Sequence, residues 1–262
     1  MLCFPQLHSG ALAQFPIRRR IRTRTICNTL ADGRLWKLSD YHSRQVEWEM
    51  ELSGLSGEEW EAIETLFREA EGRRGKFVFL DPTGNLLAWS ENLEREAWTK
   101  DPFIELTPEA ADPFGTKRAT GVRNSGGAPQ CLQQTLAVPA WFQYCLSMWV
   151  RSWERGEVTV FGRSGTASAR TVTAGPTWQR IVFPVKLLCS DELLRFGLEL
   201  PAGGNVEVFG LQVEAQRGAS AYKRTLGRSG VYPEARFSED VLAVRAEAPG
   251  CYCSTIRIVS RI

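Results

Sequence analysis

The fold of this chain is decided by the segment from Arg44 to Pro82, which reads RQVEWEMELSGLSGEEWEAIETLFREAEGRRGKFVFLDP. Its first nine residues alternate strictly, with Val46, Trp48, Met50 and Leu52 on one face and Gln45, Glu47, Glu49 and Glu51 on the other. Alternation with a period of two is typical of a strand that buries one face. We therefore predict a half-buried strand over Arg44–Leu52.

A capped helix and a second strand follow. Ser56 stands three residues before Glu59, the spacing of a capping box in which the two side chains bind free amides of the first turn. Apolar residues then recur at helical spacing, at Trp60, Ile63, Leu66, Phe67 and Ala70. Gly72 is a natural stop. The run 76–80 is aromatic and β-branched, which predicts a short strand that ends at Pro82 because proline has no amide to donate.

Length and composition indicate a globular chain. With 262 residues, 43% hydrophobic and 24% charged, the chain suits one large β domain or two domains of ordinary size. A net charge of +2 predicts no general attraction to DNA or anionic membranes. No apolar run approaches the roughly 20 residues that span a bilayer, and the first fifteen residues lack the basic start of a secretory signal. We expect a chain kept in the cytosol until assembly, with no membrane insertion and no sequence-specific nucleic acid among its partners.

The cysteines do not suggest a disulfide framework or a metal site. There are seven, an odd number, and they are scattered as Cys3, Cys27, Cys131, Cys145, Cys189, Cys251 and Cys253. A framework would more naturally be even and spaced around short loops, so we expect free thiols. The last two form a Cys-x-Cys pair, but the chain has only His8 and His42 and no second pair at zinc-site spacing. No metal ligands are therefore assigned.

Arginines at alternate positions mark the segment 17–27. As a strand it would show Arg18, Arg20, Arg22 and Arg24 on one face. One interpretation is a solvated edge strand whose charge blocks unwanted pairing, and another is a nucleic-acid arm. A third places these arginines against Glu47, Glu49 and Glu51, across strands or across subunits, where each opposite-charge pair would contribute roughly 0.2–1 kcal/mol. We take both sets as candidates for a subunit interface.

Short strands dominate the second half of the chain. At least five strand-like segments follow Asn85, among Cys131–Val138, Phe142–Arg151, Glu157–Phe161, Gln179–Val185, Leu193–Leu200 and Asn205–Ala215. Their even spacing and the turn residues between them predict an antiparallel sandwich or jelly roll. The alternating run 251–261 reads as the second strand of a terminal hairpin. Because an isolated hairpin is marginal in water, this one needs a sheet to join.

Residues 85–225 resemble a carbohydrate-binding-module-like jelly roll that recurs in bacteriophage tail and baseplate proteins. The matching residues are Asn85-Leu86-Leu87 with Ser90 and Trp98, Asp112-Pro113-Phe114-Gly115-Thr116 with Ala119 and Val122, Ser147 with Val150-Arg151, Trp178-Gln179-Arg180, Phe209–Glu214, Ala219–Tyr222 and Arg224-Thr225. The resemblance implies a glycan-binding module, in which a structural calcium ion is common. Asp112 or Glu214 could supply a carboxylate, but no dense run of oxygen ligands marks a calcium site.

Residues 1–84 and 226–262 together resemble the ring-forming domain of phage distal tail proteins. The carriers are Asn28, Asp32-Gly33-Arg34, the strand 47–52, the helix 56–72, the strand 77–82, Arg236–Asp240 and Ile256-Arg257-Ile258. The resemblance implies a mostly β assembly domain, a small β-barrel with one α-helix, split around an inserted jelly roll over 85–225. It also implies a virion protein of the tail tip, assembled in the host cytoplasm, that forms a ring, expected to be a hexamer, between the tail tube and the baseplate hub.

Signatures of enzymes are missing from the sequence. We find no Ser-His-Asp or Cys-His arrangement, no Gly-x-Ser-x-Gly elbow and no phosphate loop. Folding could still bring two carboxylates together for glycoside cleavage, and those available are Asp112, Glu154, Glu157, Asp191, Glu199, Glu207 and Glu214. Their spacing selects no pair. We therefore predict no catalytic residues and treat a glycan-active enzyme as the third functional class.

The segment 142–151 carries the candidates for glycan binding. One face is plainly core, and the other carries Gln143, Trp149 and Arg151, with Trp153 close behind. Aromatic rings offer flat apolar faces to sugar C–H groups, and polar neighbours hold the hydroxyls. We take these four residues as candidates for binding a host-surface glycan; the alternative is that Trp149 fills a second core layer or a subunit contact. A tail-associated carbohydrate-binding adhesin outside the ring is the alternative function.

Overall fold

The computed structural model describes residues 1–262 and is almost entirely β, with sixteen strands and one α-helix. The expected fold class is confirmed. Two compact units are formed, the first by Met1–His8, Ala13–Phe79 and Tyr232–Ile262, and the second by Ser9–Leu12 and Leu80–Val231. The division into two domains stays a prediction, with residues 1–84 and 226–262 in one domain and residues 85–225 in the other. Compact packing does not by itself show that either part folds alone. No helix is long and apolar enough to cross a membrane.

The elements are, in chain order, β1 (Ile17–Thr29), β2 (Leu35–Leu55), α1 (Gly57–Glu69), β3 (Phe77–Leu80), β4 (Thr99–Lys100), β5 (Ile104–Ala110), β6 (Ala119–Asn124), β7 (Gln130–Leu136), β8 (Gln143–Arg151), β9 (Gly156–Arg163), β10 (Ala167–Ala174), β11 (Gln179–Lys186), β12 (Leu194–Leu200), β13 (Asn205–Glu214), β14 (Val231–Phe237), β15 (Arg245–Ala248) and β16 (Cys251–Arg261). All seven cysteines are free thiols.

The first unit is built on one sheet with the strand order β1-β2-β16-β14-β3, and β15 pairs with β16. β2 is antiparallel to both of its neighbours. Its residues Met50 and Trp48 lie opposite Ile256 and Ile258 of β16. β16 is therefore an interior strand of the sheet. β2 and β14 provide the sheet that the terminal hairpin needs to join.

The core of this unit lies on the apolar face of β2. Val46, Trp48 and Met50 are fully buried there, and α1 adds the buried side chains of Ile63 and Leu66. The capping box forms as predicted: the amide of Glu59 donates to the hydroxyl of Ser56 at 3.2 Å, and the amide of Ser56 donates to the Glu59 carboxylate at 2.9 Å. The local sequence thus starts α1 at a position from which its apolar residues can pack against β2.

The second unit is an antiparallel sandwich of two five-stranded sheets, ordered β10-β9-β12-β7-β4 and β11-β8-β13-β6-β5. β8 buries Tyr144, Leu146, Met148 and Val150 in its core, as the alternation predicted. Asn85 is buried at the entry to the unit and is fully bonded. Its Nδ2 donates to the carbonyl of Leu211 at 2.9 Å, and its Oδ1 accepts from the amides of Leu87 and Val213 at 3.0 Å each. The start of the sandwich is thereby tied to β13.

The position of β16 gives a stability prediction. Ile258 is fully buried against β2, so Ile258→Ala removes apolar contacts and leaves a cavity, and we expect a loss of about 2–5 kcal/mol in the free energy of unfolding. Val241→Ala removes a β-branched residue from the exposed loop before β15, and its effect should stay within about 0.5 kcal/mol. Urea denaturation followed by circular dichroism measures both. Equal stability of the two variants would contradict this placement of β16.

Candidate functional site

β1 and β2 bring the predicted arginines and glutamates together within one chain. Arg22 Nη2 lies 2.6 Å from Glu47 Oε2, and Arg18 Nη1 lies 3.1 Å from Glu49 Oε1. Arg20 reaches both carboxylates more loosely, at 3.8 and 3.9 Å. We call this set the Arg–Glu ladder, defined as Arg18, Arg20, Arg22, Glu47 and Glu49 together with Arg257 of β16. That its side chains also contact a second subunit stays a prediction.

Arg257 was not anticipated from the sequence. Its Nε donates to Glu49 Oε2 at 3.0 Å, and its Nη1 donates to Glu239 at 2.8 Å. The alternation of the terminal strand was visible, but which carboxylate Arg257 meets depends on the register between β16 and β2. Two predicted members lie outside the ladder: Arg24 is 3.9 Å from Asp40, and Glu51 is exposed opposite Thr255.

The Arg–Glu ladder covers the acidic face of β2. Glu47 and Glu49 are only 8% and 7% exposed, because the guanidinium groups of the ladder cover them. The pKa of Glu49 is lowered mainly by the hydrogen bond from Arg257. Partial burial raises this pKa, and the charges of Arg20, Arg257 and Arg18 lower it further. Glu49 is thus held as a carboxylate.

Beyond the ladder, β1 and β2 continue as a two-stranded ribbon that was missed in the sequence. We define it as the β arm, residues 23–44. β16 pairs with β2 no further than Gln45, whereas β1 and β2 stay paired at six more positions, from Arg24 opposite Asp40 to Thr29 opposite Leu35. At about 3.4 Å per residue the arm extends for roughly 20 Å. The sequence does contain one signal of this ribbon, the turn dipeptide Asp32-Gly33 between two runs of residues that favour strands.

One face of the β arm is apolar and uncovered. Ile26 lies opposite Leu38, and the next position on that face pairs Asn28 with Trp36. The exposed fractions of Ile26, Leu38 and Trp36 are 39%, 45% and 56%. Three large apolar side chains therefore face solvent together at the end of a ribbon that only two strands support.

In the second unit, Trp149 packs among other aromatic side chains. Its ring lies 5.7 Å from Phe114, 5.9 Å from Phe209 and 5.9 Å from Tyr222. The guanidinium of Arg180 lies 4.6 Å above it. These contacts leave Trp149 half-buried, and its role in glycan binding stays a prediction.

Arg151 and Trp153 form a separate surface feature with Glu207 and Trp178, which we call the Trp153 platform. Arg151 Nε donates to Glu207 Oε2 at 2.5 Å, and the indole of Trp153 donates to Glu207 Oε1 at 3.2 Å. The Arg151 guanidinium lies 4.7 Å from the rings of both Trp153 and Trp178. Trp153 remains 67% exposed, so a large flat ring with a bonded indole nitrogen lies at the surface.

Gln143 does not join the platform. It lies eight residues before Arg151 on β8, more than about 25 Å along the strand, and its amide donates to the carbonyl of Val185 at 3.2 Å. Glu207, by contrast, is a candidate from the sequence only as a carboxylate for catalysis. Its position opposite Arg151 comes from the pairing of β13 with β8, which the sequence of neither strand reveals.

The carboxylates considered for calcium are bonded within the protein. Asp112 accepts from the Thr116 hydroxyl and from the amides of Phe114 and Thr116, the last two at 2.8 and 3.2 Å. Burial raises the pKa of Asp112, but the bond from the Thr116 hydroxyl, followed by the two amide bonds, brings it below its ordinary value. Glu214 accepts from Lys223 Nζ at 2.8 Å and from the Ser220 hydroxyl at 2.6 Å. Both side chains hold local structure. No group of three or more His, Cys, Asp or Glu side chains is placed to hold a metal ion.

Comparison with known proteins finds no matching family model and no matching curated protein. Among solved structures, the chain is similar to the enzymatically active domain of bacteriophage CBA120 tailspike protein 4, with 11% identity, a TM-score of 0.40, and coverage of 52% of this chain and 22% of that one. It is also similar to the C-terminal family 22 carbohydrate-binding module of Clostridium thermocellum Xyn10B, with 16% identity, coverage of 54% and 99%, and a TM-score of 0.42. A third is TmCBM61 in complex with β-1,4-galactotriose, with 12% identity, coverage of 49% and 97%, and a TM-score of 0.39.

The Arg–Glu ladder predicts a pH-dependent stability. The ordinary pKa of a glutamate is 4.5, and that of Glu49 is lower in the folded protein, so the unfolded chain binds more protons as the pH falls. We expect wild type to have a larger free energy of unfolding than Glu49→Gln at pH 7. This difference should narrow as the pH falls below about 4.5 and through the pKa of Glu49 in the folded protein.

Urea denaturation of both proteins between pH 7 and pH 3 measures this gap. Glu51→Gln is the matched control, because Glu51 lies on the same strand but outside the ladder. Its difference from wild type should show no such narrowing. If wild type exceeds Glu49→Gln in free energy of unfolding by the same amount from pH 7 down to pH 3, the proposed role of Glu49 in the ladder is wrong.

Proposed function

We propose that this protein is a structural component of a bacteriophage tail tip, in which the first unit assembles copies into a ring and the second presents a glycan-binding surface to the host. The ring, expected to be a hexamer, would join the tail tube to the baseplate hub, after assembly in the host cytoplasm. The β arm is the observation that carries the proposal. The resemblance of residues 1–84 and 226–262 to ring-forming tail proteins supports it.

The β arm is suited to contact with another protein. A two-stranded ribbon is marginally stable in water at best, and this one exposes the three apolar side chains of Ile26, Trp36 and Leu38 on one face. Clustered exposed apolar residues of this kind mark interaction sites or aggregation liabilities. Packing against a second copy would bury the face and stabilise the ribbon. When the arm of one copy contacts a different surface on the next, the contact is head-to-tail, and such contacts close into rings when the rotation allows.

The Trp153 platform supports the glycan-binding part of the proposal. An exposed indole fixed by Arg151 and Glu207 can stack against the C–H face of a sugar without losing side-chain freedom on binding. The carboxylate and guanidinium at its edge can hold hydroxyl groups. The same platform would serve the alternative function, a tail-associated carbohydrate-binding adhesin outside the ring. Self-assembly distinguishes the two, because only the ring former requires it.

The first test concerns the β arm. We expect wild type to form closed oligomers, and Trp36→Asp/Leu38→Asp to weaken their association by about tenfold or more, since each burial of a large apolar side chain contributes about 1.5–3 kcal/mol. Light scattering behind size exclusion measures the mass, and negative-stain images show the shape. Leu188→Asp changes a residue of the second unit that is 89% exposed, and it should assemble like wild type.

Two results would contradict ring formation through the arm. One is a wild-type protein that stays monomeric at every concentration, alone and with hub proteins. The other is normal assembly of the double variant while its circular dichroism matches that of wild type.

The second test concerns the platform. On an array of host-envelope glycans, Trp153→Ala should lose about tenfold or more in affinity for whichever glycan wild type binds, because the stacking face disappears. Trp141→Ala removes another partly exposed tryptophan of the same unit and should bind normally. Equal binding by wild type and Trp153→Ala would remove this platform as the glycan site. Turnover of the polysaccharide by wild type would instead favour the glycan-active enzyme.

A further inference from the structure

We propose that the second unit holds a binding site for a neutral saccharide in a cavity beside β5 and β6, which we call the Glu91 cavity. The cavity has a volume of about 400 Å³, and its lining comes from the segments 89–94, 108–109, 117–120 and 224–226. Sites for small molecules usually measure about 300–1,000 Å³. The inference rests on the proposed glycan binding by this unit, but the cavity shares no residue with the Trp153 platform.

A buried carboxylate lies at the cavity. The side chain of Glu91 is only 6% exposed. Its Oε1 accepts from Arg118 Nη1 at 3.1 Å and from the Tyr222 hydroxyl at 3.1 Å. Its Oε2 lies 2.8 Å from Arg224 Nε as an ion pair, but it has no hydrogen-bond partner. Buried carboxylate oxygens are normally hydrogen-bonded, so Oε2 is an acceptor that a ligand hydroxyl group can use.

The two arginines paired with Glu91 are reachable from solvent. The side chain of Arg118 is 35% exposed, and that of Arg224 is 53% exposed. Arg118 is held in place, because its Nε also donates to the Thr116 hydroxyl at 2.8 Å. A sugar hydroxyl group donates one hydrogen bond and accepts others, so it can bond to a carboxylate and a guanidinium together. Glu91, Arg118 and Arg224 provide both kinds of partner at one cavity.

Two residues that line the cavity have an unusual backbone conformation. Trp89 has a φ of 50° and Glu109 a φ of 64°, a left-handed region that residues other than glycine rarely adopt. Trp89 is fixed on both sides, since its amide donates to the carbonyl of Leu226 at 2.9 Å and its carbonyl accepts from the indole of Trp98 at 3.1 Å. Such strained positions persist where the surroundings fix them, and they cluster at ligand sites.

The position of Glu109 comes from a β-bulge between β5 and β6. Thr107 pairs with Gly121 and Ala110 pairs with Ala119, so 108 and 109 together lie opposite Thr120 alone. Both bulged residues and Thr120 line the cavity. Bulges redirect side chains and occur frequently beside binding sites. The bulge and the strained Trp89 therefore belong to the same cavity.

The charges that line the cavity favour a ligand without net charge. Three anions and three cations line it: Glu91, Glu94, Glu109, Lys117, Arg118 and Arg224. With no excess of either sign, the cavity offers no net attraction to an acidic or a basic sugar. Trp89 and Leu226 add apolar surface, which suits the C–H groups of a sugar ring. We therefore assign a neutral saccharide to this site.

Fluorine NMR of the full-length chain tests the site directly, with the nine tryptophans replaced by 5-fluorotryptophan. Spectra of Trp89→Phe and Trp153→Phe assign the two signals needed. Neutral disaccharides of glucose, galactose and mannose should shift the Trp89 signal, and glucuronic acid and glucosamine at equal concentration should shift it less. If the Trp153 signal moves and the Trp89 signal does not, the cavity is wrong while glycan binding at the platform stands. A larger shift with either charged sugar would overturn the neutral ligand.

The affinity of variants provides the second test. Arg224→Gln removes an exposed guanidinium, and it should weaken binding of the disaccharide that shifts Trp89 by about tenfold or more. Arg228→Gln makes the same change of charge at an exposed position outside the cavity, and its affinity should stay within about twofold of wild type. Trp153→Ala should also bind this disaccharide normally. Wild-type affinity in Arg224→Gln, or a Trp89 signal that no neutral disaccharide moves, would overturn the site.

Discussion

The pairing of β2 with β16 is the contact on which the first unit depends. It sets two segments about 200 residues apart in register, with Trp48 opposite Ile258 and Glu49 opposite Arg257. The first pair lies on the core face and the second on the outer face. The same register therefore closes the apolar core under α1 and completes the cover over the acidic side of β2. Without β16, the sheet would lose an interior strand and Glu49 would lose the guanidinium that does most to hold it ionised.

β2 also links the folded unit to the proposed assembly. It has 21 residues, far longer than the usual five or six, and only its second half lies beside β16. The first half is held by β1 alone and becomes the β arm. Because both halves are one continuous strand, the Arg–Glu ladder at their junction braces the base of the arm. A partner bound at the arm would therefore act directly on the sheet.

The outer face of β8 and the turn that follows it carry two aromatic features with different exposure. Trp149 packs with Phe114, Phe209 and Tyr222 and stays half-buried, whereas Trp153 is exposed and bonded through its indole to Glu207. Glu207 makes the difference, because one oxygen holds Arg151 and the other holds the Trp153 indole. A surface aromatic ring held in this way loses little freedom when it binds a ligand, which is the physical basis for proposing it as the glycan contact.

The sequence alone determined the features that depend on near neighbours. The alternation over 44–52, the capping box of Ser56 and Glu59 and the apolar face of β8 all appear as predicted, because strand and helix periods are set within a few residues. The tertiary structure decided what covers each face. The bond from Arg257 to Glu49, the pairing of Arg151 with Glu207 and the point beyond which β2 has no partner but β1 all follow from the register with strands remote in sequence. A one-residue shift of that register would change every such partner, and no local pattern encodes it.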